Sequence, residues 1–296
     1  MVDTPQTPAP GMGANHGGGI PAAPSVRSPL AYVVLTFGLS IPFWVVGAVS
    51  QFPLLPSIPI AALMIVAPVT TALLLVYREN RSAGVAALLK RSLDFRRVHA
   101  KIWYVPTILL MPGIMIGSYL AMRLMGVALP ALQLSLTTTL ILFIVFFVAA
   151  IGEELGWSGY TIDPLQERYG ALGGALVLGL VWAVWHVIPL VQAHRSVQFI
   201  AWWSLGTLAS RVIITWLYNN MGRSVFVTVL FHTMMNLTWQ LFPTHGAYAY
   251  YDPRVSGLIT AAVAVVVVVV WGPRTLVRAP RARGAAHAAM APTAID

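Results

Sequence analysis

The stretch LQLSLTTTLILFIVFFVAAIGEELGWSGY, residues 132–160, is an apolar segment that ends in a pair of carboxylates. Its first part, Leu132 to Ile151, is long enough to cross a bilayer, which takes about 20 helical residues. Glu153 and Glu154 follow at once. Ionised carboxylates are costly at such a place and repel each other, so they persist only if they are solvated, paired or used for chemistry. The segment therefore predicts a membrane helix with a functional site at its end.

The composition indicates a polytopic membrane protein, because 58% of the 296 residues are hydrophobic and only 9% are charged. We predict an all-α bundle of about eight transmembrane helices within residues 29–273. The tails, 1–28 and 274–296, are rich in small and helix-breaking residues and are predicted to be disordered. The predicted spans are 29–50, 57–77, 102–122, 132–152, 171–190, 199–218, 224–242 and 256–273.

Basic residues predict the orientation, since short cytoplasmic loops retain Lys and Arg. With a cytoplasmic amino terminus, one face receives 14 basic residues and the other receives Arg123, Arg195 and Arg254. We therefore expect both termini on the cytoplasmic side of the cell (inner) membrane. The net charge of +9 then reflects topology and contact with anionic membrane lipids, with no nucleic acid as a partner. The 14 are Arg27, Arg78, Arg81, Lys90, Arg91, Arg96, Arg97, Lys101, Arg168, Arg223, Arg274, Arg278, Arg281 and Arg283.

Two later apolar segments carry further polar groups that are suited to catalysis. Trp182 lies one helical turn before His186, where an aromatic ring can shield the imidazole. His232 and Asn236 share a helix face, which suits the binding of an oxyanion. The chain has no cysteine, so thiolate nucleophiles, thiolate metal sites and disulfides are excluded.

Each of these groups taken alone has a structural explanation. The carboxylate pair could be solvated where a helix leaves the membrane, and each histidine could be an interhelical hydrogen-bond donor. Taken together, these groups provide most of what peptide hydrolysis by water requires. They are two carboxylates, two histidines and an amide, and they lie on three successive spans. They supply a general base, donors for an oxyanion and a proton carrier for the leaving amine.

The order Glu-Glu-x-x-x-(Arg), aromatic-x-x-x-His and His-x-x-x-Asn resembles the CPBP family (CAAX protease and bacteriocin-processing, also called Abi). This family includes the type II CAAX prenyl endopeptidases, and the resemblance covers about residues 132–242. It implies an intramembrane endopeptidase that acts on a peptide or protein substrate at the membrane. It further implies that Glu153 activates water with His186, that His232 and Asn236 stabilise the oxyanion, and that Glu154 is a supporting carboxylate.

The chain departs from the family pattern at two positions. Trp182 stands where Phe is usual, a change that keeps an aromatic wall. Ser158 stands where the motif has Arg, so the expected charge partner one turn from Glu154 is missing. Another basic residue could replace it; the candidates are Arg168, Arg211 and Arg223.

The resemblance leaves the cofactor open, because the family has been discussed both as metal-dependent and as glutamate-dependent without a metal. His186, His232 and Glu153 could together bind zinc. The chain has no His-Glu-x-x-His motif that would place two ligands on one helix, so the sequence favours a site without a cofactor.

Three alternative functions remain at this point. Gly156-Trp157-Ser158-Gly159 resembles the nucleophile motif of rhomboid serine proteases, although the His-x-x-x-Asn element precedes that motif in rhomboids and follows it here. The same polar residues could line a transporter or proton pathway. The chain could also be a non-catalytic scaffold or immunity protein, which the missing Arg favours.

Overall fold

The computed structural model describes residues 27–50, 52–55, 58–129, 134–241 and 251–278. This part of the chain contains eight α-helices and one small β-hairpin. The predicted tails lie outside the described residues, apart from 27–28 and 274–278. The helices are α1 (Pro29–Val49), α2 (Val66–Lys90), α3 (Tyr104–Leu124), α4 (Leu136–Gly156), α5 (Ile162–Gln192), α6 (Val197–Asn220), α7 (Val225–Leu241) and α8 (Pro253–Trp271).

The prediction of an all-α polytopic bundle is confirmed, but the count of eight membrane crossings is not. Six stretches of the described residues are long and apolar enough to cross a membrane. One of them contains both α4 and α5 and has 57 residues. A single crossing needs only about 20 residues. Helix α7, with 17 residues, is not among the six. The six are Pro29–Val49, Ile60–Leu93, Lys101–Leu124, Leu136–Gln192, Val197–Asn220 and Pro253–Trp271.

The second predicted span, 57–77, begins differently from the prediction. An antiparallel hairpin of β1 (Pro53–Leu55) and β2 (Ile58–Pro59) precedes a 3-10 helix, Ile60–Ile65, and only then does α2 begin. Pro68 therefore falls in the first turn of α2, where its missing N–H breaks no helical hydrogen bond. The hairpin was not predicted, because strands of two or three residues leave no alternating pattern.

Two clusters of buried side chains hold the bundle together. The first joins α1, α2, α4 and α5 and includes Tyr32, Leu178 and Trp182. The second joins α3, α6, α7 and α8 and includes Met111 and Phe231. Met235, which lies between His232 and Asn236 on α7, packs against both clusters.

Helix α5 is divided at Gly170, whose φ of 73° lies in the left-handed region that glycine adopts without strain. The second part of α5 therefore begins with unpaired backbone N–H groups. The chain after α8 satisfies them, because Ala171 donates to the Arg274 carbonyl at 2.8 Å and Leu172 to the Pro273 carbonyl at 3.0 Å. We refer to residues 273–276 as the C-terminal cap. Its Leu276 is fully buried.

Helix α7 is fixed at its first turn by a residue from the loop before α3. Asp94 accepts hydrogen bonds from the Ser224 hydroxyl at 2.6 Å and from the Phe226 backbone N–H at 3.1 Å. A carboxylate at this position also interacts favourably with the helix dipole. Asp94 therefore sets the position of the helix that carries His232 and Asn236.

Candidate active site

The carboxylate pair is buried within the protein and does not lie on its surface. Glu153 is 3% exposed and Glu154 is fully buried. After α4 the chain continues as a five-residue π-helix, Trp157–Thr161, which is also buried throughout. Short π-helical segments are rare and are often found at functional sites. Gly156 lets α4 lie close to α1 and α2, since a Cβ at this position would collide with Tyr32 and with the Pro68 carbonyl.

Arg211 of α6 is the charge partner of Glu154. Its two terminal nitrogens donate to the two carboxylate oxygens at 3.0 and 3.1 Å, and the guanidinium is fully buried. The Ser158 hydroxyl donates to the same carboxylate. The Arg that the family motif has at the position of Ser158, in the π-helix, is therefore replaced through space by Arg211 from α6. The other two candidates lie elsewhere, with Arg223 paired to Asp163 and Arg168 over the Tyr169 ring.

The sequence contained a signal for this pairing. Arg211 is a single basic residue in the middle of an apolar span, and such residues usually have an ionic partner inside the bundle. Spacing along one helix could not identify the partner as Glu154, because the two residues lie on different helices.

His232 connects the two carboxylates. Its Nδ1 lies 3.0 Å from Glu154 Oε1, and its Nε2 lies 4.0 Å from Glu153 Oε1. A carboxylate oxygen in an ion pair accepts hydrogen bonds, so Nδ1 carries the proton and Nε2 faces Glu153. Glu154 therefore orients the imidazole in the way that a carboxylate orients a catalytic histidine.

Glu153 is held by two indole groups. The N–H of Trp182 donates to its Oε2 at 2.8 Å, and the N–H of Trp157 donates to the same atom at 3.3 Å. His186 lies one turn beyond Trp182, and its Nδ1 bonds the Trp182 backbone carbonyl at 2.9 Å. Since a carbonyl can only accept, the Nδ1 of His186 carries a proton and its Nε2 remains available.

One cavity of about 470 Å³ has Glu153, His186, His232 and Asn236 in its wall. This volume lies within the range of ligand sites, roughly 300–1,000 Å³. Glu154 and Ser158 are not part of the wall. Most of the lining is apolar and comes from both buried clusters and the hairpin; examples are Leu54, Ile58, Phe146, Leu190, Met111 and Trp239.

The predicted zinc ligands do not form a metal-binding group. No cluster of three His, Asp or Glu side chains with the arrangement of metal ligands occurs in the described part of the chain. One nitrogen of each histidine is already engaged, and Glu153 Oε2 accepts two indole N–H groups. The other nitrogen of each histidine and Oε1 of Glu153 stay open, as in metal ligands that are held from behind by a carboxylate or carbonyl. The steps proposed below use protein groups only.

Within a helical membrane bundle, a buried carboxylate that faces two imidazoles and an amide across one cavity is typical of a membrane-embedded hydrolase. A family model described as "Type II CAAX prenyl endopeptidase Rce1-like" matches residues 135–238, the range that holds all three motifs. The chain is also 26% identical over 254 residues to "CAAX prenyl protease 2" of Methanococcus maripaludis, and the match covers 80% of this chain and 93% of that protein.

The chain is similar to CAAX-type proteases of the CPBP family over the range of its motifs, and these similarities and the apolar helices support a multi-pass membrane protein with intramembrane endopeptidase function. The resemblance found in its motifs is thereby confirmed. A transporter, a scaffold and a rhomboid-type protease are not favoured. The geometry agrees with this for Ser158, whose hydroxyl donates to Glu154 and makes no hydrogen bond to a histidine in the described residues.

Proposed function

We propose that the protein hydrolyses a peptide bond of a prenylated peptide, using a water molecule that Glu153 activates. The observation that carries the proposal is the convergence of Glu153, His186, His232 and Asn236 on a single, mostly apolar cavity. Glu153 Oε1 is the oxygen that is not held by the indoles, and it faces His232. This oxygen is placed to accept a proton from water.

In the proposed reaction, Glu153 takes a proton from water while the water oxygen attacks the substrate carbonyl. The Asn236 amide N–H, one turn from His232 on α7, donates to the oxygen on which negative charge develops, and so does His232 Nε2 in the imidazolium form, which has a proton on both ring nitrogens. The proton taken by Glu153 then passes to the leaving amine, so that the peptide C–N bond breaks and a carboxylate and an amine result. His186 lies beside the same cavity and, with its free Nε2, orients the water.

The substrate class follows from the cavity and from the name of the relative. A branched hydrocarbon attached to a peptide can be buried against apolar side chains, with a gain of roughly 0.8 kcal/mol for each CH₂ group. The cavity has such side chains next to the proposed catalytic groups; they include Leu54 and Ile58 of the hairpin and Phe146 of α4. The archaeal relative is called a CAAX prenyl protease.

Purified protein in detergent should cleave a prenylated peptide ending in Cys-aliphatic-aliphatic-X without any ion gradient. The same peptide without its prenyl group should be cleaved much more slowly, because it lacks the part that the apolar wall binds. Mass spectrometry of the products and a fluorescence-quenching assay measure both rates. Equal rates for the two peptides would refute the role of the lipid group. An absence of cleavage, together with ion or proton flux in proteoliposomes, would refute the protease function.

Both termini and the segment between α2 and α3 are proposed to face the cytoplasm. This segment contains Arg91, Arg96, Arg97 and Lys101 and follows Lys90, the last residue of α2. Such basic clusters are retained on the cytoplasmic side. Because the chain has no cysteine, single cysteines can be introduced and labelled in intact cells. A cysteine at Arg96 should be protected from an impermeant reagent, and one at Arg254 should react. The reverse pattern would overturn the proposed orientation.

A further inference from the structure

Trp182 lies at the centre of the polar site, although only its ring was expected to matter. The side chain is 3% exposed. Its ring is 5.1 Å from the His232 ring and 5.6 Å from the His186 ring, measured between centroids. The Arg211 guanidinium stacks on its face at 4.3 Å. One indole therefore contacts both histidines and the charge partner of Glu154.

The edge of the same indole makes the shorter of the two indole hydrogen bonds to Glu153. An indole N–H can donate and cannot accept, so the direction of the 2.8 Å bond does not depend on any protonation state. Since the weaker bond from Trp157 ends on the same oxygen, both donors hold Oε2 and leave Oε1 free. The free oxygen is the one that faces His232 Nε2.

The position of Trp182 is fixed by the packing of α5. Gly179, one turn earlier, lies so close to α6 that a Cβ there would be 3.2 Å from the Cβ of Arg211. This close approach brings Arg211 over the indole face. Three residues after Trp182, the indole of Trp185 donates to the Ser40 hydroxyl of α1 at 2.8 Å and fixes the rotation of the helix.

We propose that Trp182 is a positioning residue for Glu153, whose indole N–H holds one carboxylate oxygen so that the other is aimed at the reacting water. A hydrogen bond to a charged group is among the stronger ones in proteins, and a fixed base loses less freedom when the reaction begins. The Phe that is usual at this position in the family has no N–H. The substitution in this chain therefore adds a donor to the site, beyond keeping an aromatic wall.

Trp182→Phe tests the inference, because it keeps an aromatic face for Arg211 and removes the N–H, while the loss of ring volume is matched in the control variant below. We expect kcat for the prenylated peptide to fall about tenfold, the effect of losing one charge-assisted hydrogen bond. KM should stay nearly unchanged, since the donor binds Glu153 and not the substrate. Trp185→Phe is the matched control, because it removes an equally short and equally buried indole bond from the same helix. It should lower thermal stability in a similar way and leave kcat within about twofold.

A thermal-unfolding cycle with Glu153→Leu tests the contact without any substrate. Trp182→Phe should lower Tm less in the Glu153→Leu background than in the native chain, whereas Trp185→Phe should lower it equally in both. Equal kcat for the Trp182 and Trp185 variants, or the absence of coupling in the cycle, would overturn the inference. The inference about Trp182 rests on the proposed function, but different results would contradict the inference and the proposed function. A native chain that cleaves no peptide contradicts only the proposed function, and the cycle still decides the role of Trp182.

Discussion

Glu153→Gln is expected to lower the turnover of the prenylated peptide by ~10²-fold or more, the usual contribution of a general base. Gln keeps the size of the side chain, and its carbonyl can still accept from Trp182 and Trp157, but it cannot take a proton from water. The fold should therefore be kept while the chemistry is lost. Rates from the fluorescence-quenching assay, with Tm measured in the same detergent, separate the two effects.

Two controls accompany this variant. Glu167→Gln makes the same change on an exposed carboxylate of α5 and should leave turnover unchanged. Ser158→Ala removes one donor to Glu154 and should cost far less than Glu153→Gln, because Ser158 is not in the cavity wall. A larger loss from Ser158→Ala than from Glu153→Gln would favour a serine nucleophile and contradict the proposed mechanism.

Arg211→Met is expected to destabilise the protein by ~3–5 kcal/mol, because it leaves the buried Glu154 carboxylate without its cation. The loss should appear as a large fall in Tm and as loss of activity, since Glu154 also orients His232. Arg223→Met is the matched control. It breaks another Arg–carboxylate pair, but the Arg223 side chain is 61% exposed, so the cost should be about 0–1 kcal/mol.

Two double variants show whether the loss of stability in Arg211→Met is due to the loss of the positive charge. Glu154→Gln combined with Arg211→Met removes both charges and should be more stable than Arg211→Met alone. Ser158→Arg should lower stability in the native chain, because it adds a second cation beside Arg211. The same substitution should raise the stability of Arg211→Met, since it returns a cation to the family position one turn from Glu154. A native Tm for Arg211→Met would refute the pairing.

The helices were predictable because each apolar span is long and bounded by turn or charged residues. The predicted span 199–218 falls within α6, and 224–242 nearly coincides with α7. The first turn of α2 was not predictable, since an apolar run does not distinguish a 3-10 helix from an α-helix. The number of crossings was also beyond reach, because α4 and α5 follow each other with only a π-helix between them.

The sequence motifs were sufficient to predict which residues line the candidate site, but not which of these residues contact each other. The motifs identified Glu153, His186, His232 and Asn236, and these four residues do line one cavity. Their roles stay predictions until the variants are measured. The pairing of Arg211 with Glu154 joins residues 57 positions apart, and the bond from Trp182 to Glu153 joins residues 29 apart. Helical spacing describes neighbours on one helix and has no information on contacts between helices.

The C-terminal cap also affects when the second part of α5 can be completed during synthesis. The helix that carries Trp182 and His186 receives its first hydrogen-bond acceptors from Pro273 and Arg274, which the ribosome adds about a hundred residues later. Until α8 has entered the membrane, the amino-terminal end of that helix has no such partners, and an incomplete helix end frays. A nascent chain that stops before residue 273 therefore lacks the acceptors for the Ala171 and Leu172 N–H groups, and the order of this part of the helix depends on the last part of the fold.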